Sequence, residues 1–462
     1  MMNMLNESNL IIPFHYKGKI NKFEEYVKAD GFKKDMDKHL QGYIWRKASR
    51  RRYRYLAAHI DALIDNENKD SICYSYYLNP NYRSEQGWPS EQDRIYMESW
   101  IMKGDNKSEA FTFFMGEIRI YIFKTGIGFL VVNIKHENQE ELTSIEDKSF
   151  SLTRFYTKET TGTAKESELL FTYKTTDKLG VEKNIPFSLS GIVNQILQVT
   201  KSNQDLIRLF PSSNKKECNI FHRIIVDRPL EEENLNSHLY ILRRAFHSSF
   251  YQCKEDACVD QRTDFIFQTR HNFYFSFSQR GMVCLYYQSE NQDVFIRHFT
   301  GNVRHDYFFI YLFLLHERQA LFYFNSILSA PQKKYDIIRM KKILIEFRIK
   351  YSYKVISDEA SYQNFYSLLY KAFSLDELNV DIQDIIDRGS EHQKNIHENS
   401  TNTALAVLAL FGIFSALDSS FAFVDRFSMD EPFTWAHAVV SALIFLTVLI
   451  SIGVFLYLKK RK

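Results

Sequence analysis

Two apolar runs near the C-terminal end constrain this 462-residue chain more than any other feature. Thr403 to Phe423 and Ala436 to Leu458 hold 21 and 23 residues, and Asp418 is the one charged residue inside them. A helix needs roughly 20 apolar residues to cross about 30 Å of hydrocarbon. The short link Val424 to Trp435 then predicts a transmembrane hairpin, with the Lys459-Lys460-Arg461-Lys462 tail retained inside by its charge. The expectation is a multi-pass inner-membrane protein with cytoplasmic N- and C-termini and membrane lipid as one partner.

Composition narrows the rest. Fifty-nine basic and 56 acidic side chains leave a net charge of +3, which gives no argument for direct nucleic-acid binding. The N-terminus lacks the basic and apolar regions of a cleaved signal peptide. Five scattered cysteines suit a reducing compartment. Cys253 and Cys258, with His247 nearby, lack the second pair a structural zinc site needs, so no metal is expected.

Along the chain, Gln41 to Asp65 reads as an amphipathic helix. Phe111 to Lys135 alternates around Ile118, Ile120 and Ile122, turns at Lys124-Thr125-Gly126, and resumes as Phe129-Leu130-Val131-Val132, which predicts a β-hairpin. Further strands are expected at 168–173, 220–226, 265–268, 273–277 and 282–287, and helices at 189–199 and 232–249. The fold class is therefore α+β or α/β for residues 1–300, with the polar stretch 151–176 as a candidate seam between subdomains. A helical stalk follows over 301–402, then the hairpin and basic tail over 403–462. Tyr307 to Leu328 is apolar enough to suggest a span, but His316, Glu317 and Arg318 at its centre favour a helix buried in protein. Lys333 to Lys350 is a second helix with a basic face. Leu375, Leu378, Ile382, Ile385, Gly389, His392 and Ile396 form a heptad seam. Its phase runs on into Leu417, a rod of roughly 75 Å at 1.5 Å per residue. Such a helix needs a partner: a neighbouring helix of its own chain, or the same helix in other copies.

A long helix entering a first span, a short acidic loop, a second span and a Lys-rich end together resemble the CorA family of divalent-cation channels. The resemblance covers residues 300 to 462 and is most specific at Asn395 to Thr403 and Trp435 to Leu443. It implies a homo-oligomer, a pentamer in that family, whose first spans line a pore for a permeant divalent cation. Where the family has Gly-Met-Asn, this chain has Asp418-Ser419-Ser420, so magnesium selectivity does not carry over. The enlarged aromatic-rich N-terminal part is more similar to CorA-like effectors associated with type III CRISPR systems. That likeness implies control by a nucleotide second messenger, an S-adenosylmethionine–AMP conjugate, in antiviral defence. A constitutive magnesium transporter and a tethered binding protein without a pore are the alternatives.

Two sets of candidate residues follow. Asn402, Ala406, Ala409, Gly412, Ala416, Asp418, Ser419 and Ser420 make a small and polar stripe, which fits either a pore lining or close helix packing. Asp418 is the sharpest of them, since an acid in a span marks an ion path by default. Asp425, Asp430 and Glu431 add charge to the outer loop. For an anionic ligand, Asp227 and Arg228 end a strand, while Asn302 and Arg304 open a long helix whose N-terminus suits phosphate. The cluster Arg50 to Arg54 is next in line. No Walker loop, Gly-x-Ser-x-Gly or His-Glu-x-x-His is present, and catalysis is not expected.

Overall fold

The computed structural model of the chain describes residues 6–18, 23, 43–47, 53–64, 71–80, 95–103, 107–136, 140–153, 170–176, 182–188, 207–209, 218–249, 265–270, 272–287, 301–328 and 334–427. It contains two compact units, Met1–Ile386 and Asp387–Lys462.

The first unit is built on one 13-stranded sheet. Its first half holds β1 (Glu7–Tyr16), β2 (Tyr43–Lys47), the short helix α1 (Ala58–Leu63), β3 (Cys73–Pro80), β4 (Ile95–Lys103), β5 (Lys107–Phe123) and β6 (Ile127–Lys135). Helix α2 (Leu142–Thr153), β7 (Leu170–Thr176), β8 (Glu182–Ser188), β9 (Ile207–Leu209) and β10 (Asn219–Val226) follow. Helix α3 (Glu232–Arg244), β11 (Ile266–Arg270), β12 (Phe273–Phe277) and β13 (Gly281–Tyr287) complete it. The main path runs β11-β12-β13-β10-β1-β6-β5-β4-β7-β8, with β2–β3 attached to β5 and β9 to β1. The pair β10–β13 is parallel and the other pairings are antiparallel.

Both faces of the central strands are covered, which is why β6 and β13 read as unbroken apolar runs. On one face Leu235, Leu239 and Leu242 of α3 meet Ile224, Val283, Leu285 and Tyr287. Glu232 and Glu233 in the first turn of α3 and Arg243 and Arg244 in its last turn oppose the helix dipole favourably. On the other face lie α4 (Phe308–Leu328), entered through a π turn at Val303–Tyr307, α5 (Lys334–Tyr351) and α6 (Ala360–Ala372). Helix α4 is apolar nearly all round and is buried accordingly. The long helix α7 (Leu375–Phe427) starts in the same core, where Leu375, Ile382 and Ile386 are buried. The partner for the first part of the heptad seam is thus its own chain.

Several expectations are corrected here. Gln41 to Asp65 is not one helix: Tyr43–Lys47 pairs with β3, and only Ala58–Leu63 is helical. The aromatic and β-branched run Tyr43-Ile44-Trp45 favours a strand once a partner strand is available. The helix expected at 189–199 lies outside the described residues, as do the cysteines at 253 and 258. The expected fold class included two C-terminal transmembrane helices, and this is overturned. Among the described residues, no helix is long and apolar enough to cross a membrane. The run from Thr403 to Phe423 is the C-terminal part of α7, continuous with the polar stretch before it. The second run, Ala436 to Leu458, lies outside the described residues. The membrane-channel reading and the inner-membrane location rested on those spans and fall with them.

Candidate functional site

Four of the residues singled out for a pore have described side chains. Asn402, Ala406, Ala409 and Gly412 are exposed on α7, and a Cβ added at Gly412 would meet nothing within 4 Å. Ala416, Asp418, Ser419, Ser420 and Asp425 belong to the same helix, but their side chains lie outside the described residues, as do Asp430 and Glu431 altogether.

The residues singled out for an anion come from the end of β10 and the entry to α4. Asp227 and Arg228 are exposed on the bend after β10, and Asn302 is half-buried before the π turn. Arg304 donates to the buried carboxylate of Glu7, its Nε at 3.1 Å from one oxygen and its Nη2 on the other. Arg223, opposite Glu7 across β10 and β1, contacts the same carboxylate at 2.9 Å. Burial works against the Glu7 charge, yet these two guanidiniums together hold its pKa below the usual range. Arg304 therefore serves an internal ion pair. Of the basic cluster, Arg54 stacks over Tyr55, and Arg50 to Arg52 lie outside the described residues.

A cavity of about 460 Å³ opens instead near the other end of α4. Helical periodicity builds two of its walls: Ala320, Tyr323, Phe324 and Ile327 come from α4, and Ile343, Glu346, Phe347, Lys350 and Tyr351 from α5. Each set recurs at steps of three and four, so each lies on one helix face. The sheet supplies His15 of β1, Ile127 of β6, and Lys124 and Thr125 of the turn between β5 and β6. Gly126 closes that turn at φ +87°, and a Cβ there would stand 2.5 Å from the Tyr16 carbonyl oxygen. Only glycine fits such an approach.

The cavity has aromatic walls and cationic sides. The His15 ring packs on Tyr323 with centroids 4.6 Å apart. Beneath lies His316, stacked on Phe123 at 3.9 Å and held neutral by burial. Thr125 Oγ1 accepts the Ile127 N–H at 3.3 Å and shares a hydrogen bond of 2.8 Å with His316 Nε2. Tyr351 is almost fully buried against the cavity. The Lys124 backbone lies near its hydroxyl, but no well-formed hydrogen bond reaches that group within the described chain. Lys124, Lys350 and Glu346 are exposed at the sides.

Helix α5 also reaches away from the cavity. Between the cavity residues Phe347 and Lys350, Arg348 donates to Gln383 Oε1 at 2.8 Å and to the Asn379 carbonyl oxygen at 3.1 Å, both on α7. One helix thus touches the cavity on one face and holds the base of α7 with another.

A second buried polar group is sealed off. Ser8 Oγ lies 2.6 Å from His136 Nε2 and 2.7 Å from His222 Nδ1 on the α2–α3 face of the sheet. All three side chains are fully buried, so no substrate reaches the hydroxyl. Among the described residues no group of three or more His, Cys, Asp or Glu is placed to hold a metal.

Comparison of the chain with protein-family models, curated proteins and solved structures finds no match. The cavity residues are hard to find in the sequence for a plain reason. The spacings 320-323-324-327 and 343-346-347-350 are visible, but equally describe helix faces packed in a core. What the sequence conceals is that these faces and the Lys124-Thr125-Gly126 turn converge.

Proposed function

We propose that this chain is a ligand-responsive relay. A small anionic molecule bearing a planar ring, with nucleotides as the class, binds between the β5–β6 turn and helices α4 and α5, and α5 passes its occupancy to α7. The observation that carries this reading is the double engagement of α5, with Phe347, Lys350 and Tyr351 on the cavity and Arg348 on Gln383 and Asn379. Tyr323, Phe324 and Phe347 offer faces for a ring. Lys124 and Lys350 offer charge-assisted donors for a phosphate, and Glu346 an acceptor for an amine or a ribose hydroxyl. A ligand that draws α5 toward the sheet turn displaces Arg348, and so biases α7 between two arrangements.

The test is calorimetric titration of a nucleotide panel, with adenosine monophosphate and an S-adenosylmethionine–AMP conjugate included, followed by hydrogen exchange over residues 375–386. At least one nucleotide should bind. Lys124→Ala and Lys350→Ala should each weaken it about tenfold, the value of one charged hydrogen bond. Arg348→Ala should leave affinity nearly intact while abolishing the change in α7 exchange. Binding that ignores both lysine substitutions, or no binding at all, would refute the assignment.

A further inference from the structure

Outside the cavity, α5 and α7 present two exposed faces of opposite character. On α5, Lys342, Ile345 and Ile349 fall along one line of the helix, with Ile345 49% and Ile349 71% exposed. On α7, Glu377, Val380 and Asp381 do the same, with Val380 58% exposed. A single exposed apolar residue is ordinary. Two isoleucines one turn apart on the outer face of a basic helix are less so. Among the described residues α5 and α7 meet through Arg348, Gln383 and Asn379, on other sides of each helix than these two faces.

The two faces complement each other. Apolar side chains occupy the middle of both, with a lysine on one and carboxylates on the other, a pattern that favours docking in one register and opposes pairing of like faces. Each chain carries one copy of each face, and both are exposed among the described residues.

We propose that copies of this chain associate head-to-tail, the Lys342–Ile345–Ile349 face of α5 in one copy packing on the Glu377–Val380–Asp381 face of α7 in the next. The two surfaces differ, so the contact is heterologous: it closes into a ring if the rotation between copies permits and otherwise continues as a filament. The occupant of each face is a second copy of this chain. This contact goes beyond the relay and does not require any ligand to bind.

Sedimentation velocity on the full chain over a concentration series tests it without ligand. The parent chain should associate reversibly, and more weakly as salt is raised. Lys342→Glu and Asp381→Lys should each weaken association at least tenfold. Combining both changes in one chain should restore it, because the reversed charges again face each other. Mixing the two single variants should also restore it, since every contact then pairs opposite charges. A parent chain that stays monomeric throughout overturns the proposal. So does association that survives the single substitutions unchanged, for copies would then meet elsewhere, as at Leu405 to Ile413 of α7. Failure of both restorations overturns it as well. Circular dichroism melts of the variants separate lost folding from lost contact, and nucleotide titration reports independently on the relay.

Discussion

Glu317 sits where the helices behind the sheet converge, fully buried, next to the equally buried His316. Burial pushes its pKa up to about 7. Ser352 and Asn379 lie near enough to favour the charge, with Arg348 also lowering the pKa and Asp376 raising it, but no well-formed hydrogen bond reaches either carboxylate oxygen. Asn379 donates to the Leu375 carbonyl and leaves its own Oδ1 unpartnered, so a protonated Glu317 has an acceptor at hand. As pH rises from the ordinary carboxyl range, the unfolded chain releases this proton while the folded chain keeps it until about pH 7. Stability is therefore lost as pH rises across that window, by about 3 kcal/mol at most. Glu317→Gln should flatten this limb and raise denaturation midpoints above pH 7, which urea titrations at pH 5 and 8 would reveal. His136 and His222 act in the opposite direction, since burial lowers both to about 3. Their contribution is present above the unfolded histidine pKa and is lost as pH falls from about 6.5 toward 3. Glu317→Gln should leave this acid limb intact; a variant whose alkaline limb is unchanged would remove Glu317 as its cause.

Among the elements, the β5–β6 hairpin is the most legible in the sequence and the most consequential. The alternation around Ile118 to Ile122 and the Lys124-Thr125-Gly126 turn locate it from residue order alone, and the register Ile122↔Gly128 agrees. The strand at 220–226, the buried helix at 307–328 and the start of α7 are equally readable, because burial leaves a periodic or continuous apolar trace. Two kinds of feature are not. Tyr43–Lys47 gains strand character from β3, whose residues Tyr76 to Pro80 pair with it across a long stretch of chain, which no local window contains. The run from Thr403 looks like a span because hydropathy counts residues without asking where the helix began. The hairpin turn also supports a direct test. Gly126→Ala forces a side chain into a left-handed conformation and against the Tyr16 carbonyl. A loss of about 1–2 kcal/mol is expected, with weaker nucleotide binding because Lys124 and Thr125 ride on the same turn. A thermal melt unchanged from the parent chain would show that the turn relaxes freely.

At the scale of the molecule, the division at Ile386–Asp387 predicts that the first unit stands alone. Its core closes with Leu375, Ile382 and Ile386 at the base of α7, so a chain ending at Arg388 retains every buried residue of that core. Such a chain should melt at the temperature of the full chain and bind nucleotide equally; early melting in calorimetry would show that the later residues support the first unit.

The position of β1 bears on how the molecule is made. Of the described strands β1 is made before the others, and it lies at the centre of the sheet, with β6 along one side and β10 along the other, where Glu7 meets Arg223. Its second edge must wait for some two hundred further residues to be synthesised. At about 5–20 residues per second this wait lasts roughly 10–40 s. Throughout it, a strand carrying Leu10, Ile11, Ile12 and Phe14 keeps open backbone donors and acceptors along one side. Pairings this distant in sequence are also slow to find. The nascent chain is thus a natural client for chaperones that shield unpaired strands, and its yield in any host depends on the pace of translation between β6 and β10.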